Sequence, residues 1–267
     1  MNTHEIDYKI YGEEMQYVEI ELDPMETVIA EPGSFMMMDE DIEMRTIFGD
    51  GTGQDASIFG KMMSAGKRVL TGEKLFMTAF THMGVDKHRV CFASPYPGKI
   101  IPLDLSELGG KIICQKDAFL CAAQGTSVGI EFSKRLGRGF FGGEGFIMQK
   151  IEGDGLAFMH AGGHVTERIL EVGEHLRVDT GCLVGFQDTV DYDIEMVKGI
   201  KNMMFGGEGF FYASLIGPGK VWIQSLPFAR LANRVVKSSK HLFGSSRRGE
   251  GSMLGTIGDL LDGDGFS

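Results

Sequence analysis

Short runs of apolar and β-branched residues, separated by glycine, proline or charged turns, recur along the 267-residue chain. FIMQKI and LAFMH form one pair of runs at 146–160, and FYASLI and VWIQS form another at 211–225. Strands of this length bounded by turn residues are typical of β-hairpins, so we predict hairpins here and at 75–94 (LFMTAF and RVCFAS). The pattern predicts an all-β chain.

One segment departs from this pattern. Residues 225–241 (SLPFARLANRVVKSSKH) place Leu231 and Val235 four residues apart, the spacing of one helix face. We therefore expect a short C-terminal helix, followed after Gly244 by a flexible tail rich in glycine and serine.

The chain also resembles itself. Gly142-Gly-Glu-Gly-Phe146 recurs 64 residues later as Gly206-Gly-Glu-Gly-Phe210, and a looser copy begins at Thr71. Such a period predicts a repeat architecture. We divide the chain into a first β repeat at 1–112 with an insertion near 46–68, a second at 113–176, a third at 177–231, and a C-terminal helix and tail at 232–267.

The shared glycines and glutamates are predicted to mark bends in strands, where a backbone needs positive φ or lies close to another backbone. These structural positions are Gly72, Glu73, Gly142, Gly143, Glu144, Gly145, Gly206, Gly207, Glu208 and Gly209.

Two motifs suggest chemistry that their context does not support. Gly137-Arg-Gly139-Phe-Phe-Gly142 has the spacing of a dinucleotide-binding loop, but a strand follows it where a helix is needed. Gly125-Thr-Ser127-Val-Gly129 matches a hydrolase nucleophile elbow and lacks a following helix in the same way. We expect no cofactor and no catalytic residue.

His160 and His164 are the candidate metal ligands, because their four-residue spacing resembles that of two zinc ligands on a helix. The two glycines between them make a helix unfavourable, and no third ligand is evident. Together with Cys182, the two histidines are the first candidates for a small-molecule or metal site between repeats or subunits.

Charge and cysteine content narrow the choice of partner and compartment. The net charge of −11 opposes nucleic acid, because phosphate binding needs clustered Lys and Arg. Four cysteines without a C-x-x-C pair indicate reduced core thiols. The N-terminus lacks the pattern of a signal peptide and no apolar run approaches ~20 residues, so we expect a cytoplasmic chain without a transmembrane segment.

The three copies, the motif Phe141-Gly-Gly-Glu-Gly-Phe146 and the segment HAGGHVTERILEVGEHLRVDTGCLVGF (160–186) resemble the altered-inheritance-of-mitochondria family of conserved proteins. This resemblance covers about Val18 to Leu231. It implies three β-sandwich modules of the short double-stranded β-helix type, like the module of the tryptophan RNA-binding attenuation protein. It also implies that the chains assemble as a homotrimeric ring. It brings no catalytic residues.

We therefore expect a non-enzymatic oligomeric scaffold or assembly protein. Its protein partner is not identified by the sequence, and any membrane association is expected to be peripheral and through that partner. A basic cluster near the C-terminus is expected to be a solvated face, with an acidic partner or anionic lipid as the alternative; it comprises Arg230, Arg234, Lys237, Lys240, Arg247 and Arg248. The alternative function is the small-molecule or metal-binding module, and RNA binding, which the related fold suggests, is third.

Overall fold

The structure is a computed structural model, which describes residues 3–48, 76–134, 146–196 and 211–243. These residues contain nineteen strands, two 3₁₀ turns and one α-helix, which confirms the prediction of a mainly β chain with a C-terminal helix. The first seven strands are β1 (Asp7–Tyr11), β2 (Tyr17–Leu22), β3 (Thr27–Ala30), β4 (Phe35–Met38), β5 (Ile42–Phe48), β6 (Phe76–His82) and β7 (His88–Ala93).

The remaining strands form two groups of six. The first group is β8 (Gly98–Asp104), β9 (Lys111–Gln115), β10 (Phe119–Ala123), β11 (Ser127–Lys134), β12 (Phe146–Glu152) and β13 (Leu156–Gly162). The second is β14 (Val165–Leu170), β15 (His175–Asp179), β16 (Leu183–Gln187), β17 (Asp191–Met196), β18 (Phe211–Ile216) and β19 (Gly219–Gln224). A 3₁₀ turn precedes β10 at Lys116–Ala118 and β16 at Thr180–Cys182, and helix α1 spans Phe228–Phe243.

The order of elements recurs along the chain. We call β2–β7, β8–β13 and β14–β19 strand sets 1, 2 and 3. Three elements of set 2 recur in set 3 at an offset of 64 residues. Strands β9 and β15 start at 111 and 175, the two 3₁₀ turns at 116 and 180, and strands β10 and β16 at 119 and 183. The repeat boundaries expected at 112/113 and 176/177 therefore fall inside β9 and β15. These boundaries divide the repeated sequence copies, but they do not coincide with divisions between the sheets.

Four antiparallel sheets are built from these sets. Sheet A has the order β1-β2-β7-β4, sheet B β5-β6-β3-β10-β13-β8, sheet C β11-β12-β9-β16-β19-β14, and sheet D β15-β18-β17. Sheets B and C each join half of one set to half of the next, through the pairs β3·β10 and β9·β16. Consecutive sets are therefore linked by continuous hydrogen bonding.

The predicted hairpins were wrong in their pairing, although their strands are present. β12 pairs with β11 and β9, whereas β13 pairs with β10 and β8 in a different sheet. β6 and β7 are divided in the same way between sheets B and A, and β18 and β19 between D and C. Since β12 and β13 are buried on both faces, their apolar pattern does not reveal which neighbour each one pairs with.

Three hydrophobic clusters lie between these sheets. One contains Ile20, Phe80, Phe92 and Phe158, from sheets A and B. The next combines residues of sheets B and C around Phe119 and Trp222, and the third combines residues of sheets C and D around Phe186 and Leu215. The likeness of each module to the attenuation-protein module stays a prediction.

The chain divides into two compact units, residues 1–229 and 230–267. No helix in the described part is long and apolar enough to cross a membrane.

Candidate assembly interface

Strand β4 (Phe-Met-Met-Met) exposes every one of its apolar side chains. Phe35 to Met38 are 38–49% exposed. The corresponding residues of β10, Phe119 to Ala122, are at most 1% exposed. An edge strand with exposed apolar residues and free backbone groups is a template for pairing with another strand.

The correspondence between β4, β10 and β16 rests on a shared irregularity. In each strand the register shifts just after the first residue, which is Phe35, Phe119 or Leu183, against the last strand of the same set. The three strands therefore occupy the same place in their sets. They differ in their neighbours, because β10 and β16 pair on their other side with β3 and β9 of the preceding set, whereas β4 ends sheet A.

At the opposite end of the chain, β15 is the counterpart of β3 and β9. It pairs with β18 on one side and ends sheet D on the other. Its Val178 is buried, while His175, Arg177 and Asp179 are exposed. In the described residues, β4 and β15 are thus edge strands whose counterparts pair with one another twice inside the chain, as β3·β10 and β9·β16.

The two internal junctions define the register that a β4–β15 pair would adopt. Cys121 lies opposite Ala30 in β3·β10, and Gly185 lies opposite Cys114 in β9·β16. The same positions in β4 and β15 are Met37 and Val178.

Electrostatics at the junction support the same register. An ion pair joins Lys111 of β9 to Asp188, which directly follows β16, with 3.0 Å between Nζ and Oδ1. The corresponding residues at the free edges are His175 and Glu40. A carboxylate would again lie opposite a basic side chain.

The predicted ligand His160 has a structural partner. It is buried in β13, and its imidazole is hydrogen-bonded to the backbone of Asp117 in the 3₁₀ turn. In set 3, Gln224 occupies the position 64 residues on and donates from Nε2 to the carbonyl oxygen of Gly181, at 2.9 Å. Both side chains therefore anchor the 3₁₀ turn that leads into β10 or β16, a role that sequence spacing did not indicate.

Burial lowers the pKa of His160 from 6.5 to about 4, so its imidazole is neutral near pH 7. Its Nδ1 has no hydrogen-bond partner in the described structure. Tyr96 packs edge-on against the ring, with 5.1 Å between the centroids, a separation within the roughly 4.5–7 Å that is usual for aromatic pairs. The surroundings of His160 are those of a core residue.

The other candidate ligands lie in different settings. His164 is exposed in the turn between β13 and β14, where its backbone N–H donates to Ser225 Oγ at 2.9 Å. Cys182 is half-buried in the second 3₁₀ turn. No group of three or more His, Cys, Asp or Glu side chains suited to a metal occurs among the residues that the structure describes.

A second buried histidine was missed by sequence reasoning. His82, at the end of β6, is fully buried, and neither of its ring nitrogens has a hydrogen-bond partner within the described ranges. Its ring stacks on that of His88, with 4.7 Å between the centroids. The six-residue separation in sequence gave no signal of this contact.

The repeated glycines and glutamates, predicted to mark bends in strands, fall between the described ranges. All ten positions, Gly72, Glu73, Gly142 to Gly145 and Gly206 to Gly209, lie outside the described residues, as do residues 49–68 of the expected insertion. The segments that contain them connect β5 to β6, β11 to β12 and β17 to β18, and each of these is an antiparallel pair.

Comparison with known proteins agrees with this fold. The chain is 29% identical over 219 residues to an uncharacterised protein of Streptococcus pyogenes serotype M6, a match that covers 80% of this chain and 83% of that protein. An X-ray structure of a Streptococcus pyogenes protein from a structural genomics consortium matches with a TM-score of 0.63 at 23% identity, over 87% of this chain and 99% of the other. Residues 8–226 match the model of the family described as "Mitochondrial biogenesis AIM24", and the chain therefore belongs to that family.

Proposed function

We propose that this chain is a non-enzymatic scaffold protein that assembles with copies of itself by pairing β4 of one copy with β15 of the next. The observation that carries the proposal is the exposure of Phe35 to Met38, whose counterparts in β10 are buried at an internal junction. Such pairing would join the four strands of sheet A to the three of sheet D, much as sheets B and C already join two sets.

The pairing is head-to-tail, because one end of the chain meets the opposite end of another copy. Contacts of this kind form rings when the rotation closes. We propose a homotrimeric ring, the assembly that the family resemblance implies. Covering Met37, which is 45% exposed, would recover about half of the 1.5–3 kcal/mol gained when such a side chain is fully buried, or about 1 kcal/mol.

The absence of catalysis is part of the same proposal. Ser127, the serine of the nucleophile-elbow motif, is the first residue of strand β11 and lies opposite Glu152 in an antiparallel ladder. A nucleophile elbow instead needs a strand that turns into a helix. No disulfide links the four cysteines, all of which lie in the described ranges, and three of them are buried, which fits a reducing compartment and supports our proposal of the cytoplasm.

The alternatives rank lower. A metal or small-molecule site at His160, His164 and Cys182 stays a prediction, which metal analysis of the purified protein would test. RNA binding stays a third prediction, and the net charge of −11 opposes it.

The assembly is tested by light scattering during size-exclusion chromatography, over a wide range of protein concentration. We expect wild type to elute as an oligomer and Met37→Lys to shift towards the monomer, because a lysine at this edge would have to be desolvated on pairing. Met15→Lys is the matched control, since Met15 is 66% exposed and lies away from β4. A wild-type chain that is monomeric at every concentration contradicts the proposal.

The register is tested with the double variant Met37→Cys and Val178→Cys. Oxidation should link separate chains, giving products of two or more chain masses on non-reducing gels. The variant Met37→Cys with Val172→Cys is the control, because Val172 is 83% exposed and lies outside β15. A disulfide between the two introduced cysteines of one chain, distinguished by peptide mass spectrometry from a link to Cys91 opposite Met37 in β7, would show instead that β15 closes onto β4 of the same molecule.

A further inference from the structure

Helix α1 (Phe228–Phe243) has an apolar face and a charge of one sign. Phe228, Leu231, Ala232, Val235 and Val236 follow the spacing i, i+3, i+4, i+7 and i+8, which places them on one side of an α-helix. In a globular protein, an apolar helix face of this kind usually packs against the hydrophobic core.

Within the described ranges this face is largely uncovered, although the ring of Phe228 stacks on that of Tyr96 with 5.3 Å between the centroids. Phe228 is 55% exposed, Val235 61% and Val236 50%. Leu231 and Ala232 are half-buried. The apolar stripe is therefore available to a partner that can bury it.

The charge of the helix identifies the chemistry of that partner. Its sixteen residues include four Lys or Arg and no Asp or Glu, in a chain whose net charge is −11. Arg234 and Lys237 are exposed and fall on the side opposite Val235 and Val236 at helical spacing. The surface that complements such a helix is apolar underneath and negatively charged at its rim.

We propose that α1 binds the surface of a membrane containing anionic lipids, lying in the plane of the interface. A helix with Lys and Arg on its polar face and Phe, Leu and Val on the other binds in this way, through apolar burial and attraction to anionic headgroups. Sixteen residues give a helix of roughly 24 Å, which lies along the interface and is too short to span the hydrocarbon core of ~30 Å. An anionic membrane is favoured over an acidic protein groove because it supplies both components without a matching shape.

This inference is independent of the β4–β15 assembly, which uses other residues. It would let the scaffold bind a membrane surface directly. Several copies in one assembly would bring several helices to the same membrane, so that weak single contacts add up to stronger binding.

The experiment is vesicle flotation with the full chain. Vesicles of phosphatidylcholine alone are compared with vesicles that also contain phosphatidylserine, and with the second kind at high salt. We expect the protein to float with the anionic vesicles, to remain unbound with neutral ones, and to be released by salt, since surface charges are screened.

Two variants test the helix itself. Val235→Gln with Val236→Gln removes apolar surface while keeping good helix formers, and should reduce binding at least ten-fold. Lys237→Glu replaces an attractive charge with a repulsive one and should reduce binding more than five-fold, since one basic residue near an anionic surface accounts for about that factor. Arg45→Glu, which makes the same change at an exposed site of β5, is the control for net charge and should leave binding unchanged.

Two results would overturn the inference. The first is equal flotation with neutral and anionic vesicles, or none with either. The second is a loss of oligomer mass in Val235→Gln with Val236→Gln without any change in vesicle binding, which would assign the apolar face to a protein contact. The β4–β15 assembly is tested separately, by the oligomer mass of Met37→Lys. Failure of one proposal can therefore be told from failure of the other.

Discussion

The replacement His160→Gln tests our reading of the buried histidine most directly. Gln224 makes the equivalent hydrogen bond to the 3₁₀ turn in set 3, so glutamine should keep the contact with Asp117. It removes the titrating imidazole. The variant should therefore fold normally and lose one source of acid sensitivity.

The size of the effect follows from the difference in pKa. Burial lowers the pKa of His160 from 6.5 to about 4, so the unfolded chain takes up a proton at this site more readily than the folded one. Stability from the neutral imidazole is present above pH 6.5 and declines as the pH falls towards 4. At pH 5 the unfolded imidazole is mostly charged and the folded one mostly neutral, which costs about 2 kcal/mol in free energy of unfolding relative to pH 7.5.

The assay is urea unfolding at pH 7.5 and pH 5.0. Trp222, the single tryptophan, is buried and donates from Nε1 to Glu167, so its fluorescence reports on loss of the core around sheet C. We expect wild type to lose about 2 kcal/mol more than His160→Gln between the two pH values. His164→Gln, at an exposed site, is the control and should behave as wild type. Equal losses in wild type and His160→Gln would show that the imidazole of His160 does not cause the loss of stability in acid.

Three further predictions concern other residues. Burial raises the pKa of Glu31 to about 7, so its ionisation opposes folding as the pH rises from 4.5 to 7. Glu31 is only half-buried, and solvent screening reduces the full effect of this shift, so Glu31→Gln should stabilise the chain by about 1 kcal/mol at pH 8 but not at pH 4, measured by urea unfolding. His82→Phe keeps the stacking on His88 and removes two unpaired buried nitrogens, so we expect its free energy of unfolding at pH 7.5 to rise by about 1 kcal/mol; a loss of stability would reveal a hydrogen bond at this ring. His175→Glu should weaken assembly by about 1 kcal/mol because it would face Glu40, whereas His175→Lys should not; equal oligomer masses for the two variants would count against the proposed register.

The sequence predicted the strands better than their pairing. The runs FIMQKI and LAFMH are strands β12 and β13, because apolar runs bounded by turn residues form strands in either sheet. Their assignment to sheets C and B depends on which faces must be covered by other strands far away in sequence. Local alternation contains no information on that choice.

The candidate interface likewise combines features that the sequence predicts with features that only the fold reveals. Phe35 to Met38 have the apolar pattern of an ordinary core strand, and the exposure of β4 becomes visible only when its counterpart β10 is seen paired with β3. The four-residue spacing of His160 and His164 suggests metal ligands, because spacing in sequence does not show that His160 is buried against the 3₁₀ turn. The partner of His160, Asp117, is 43 residues away in sequence and meets it through the pairing of β10 with β13.

The β character of the chain, the C-terminal helix and the family could be predicted from the sequence, because these depend on local patterns and on motifs. The fold was needed to show which strands share a sheet, which apolar strand lies at an edge, and which buried polar groups have partners. These properties depend on contacts between distant residues, where the burial of one strand is set by the presence or absence of another beside it.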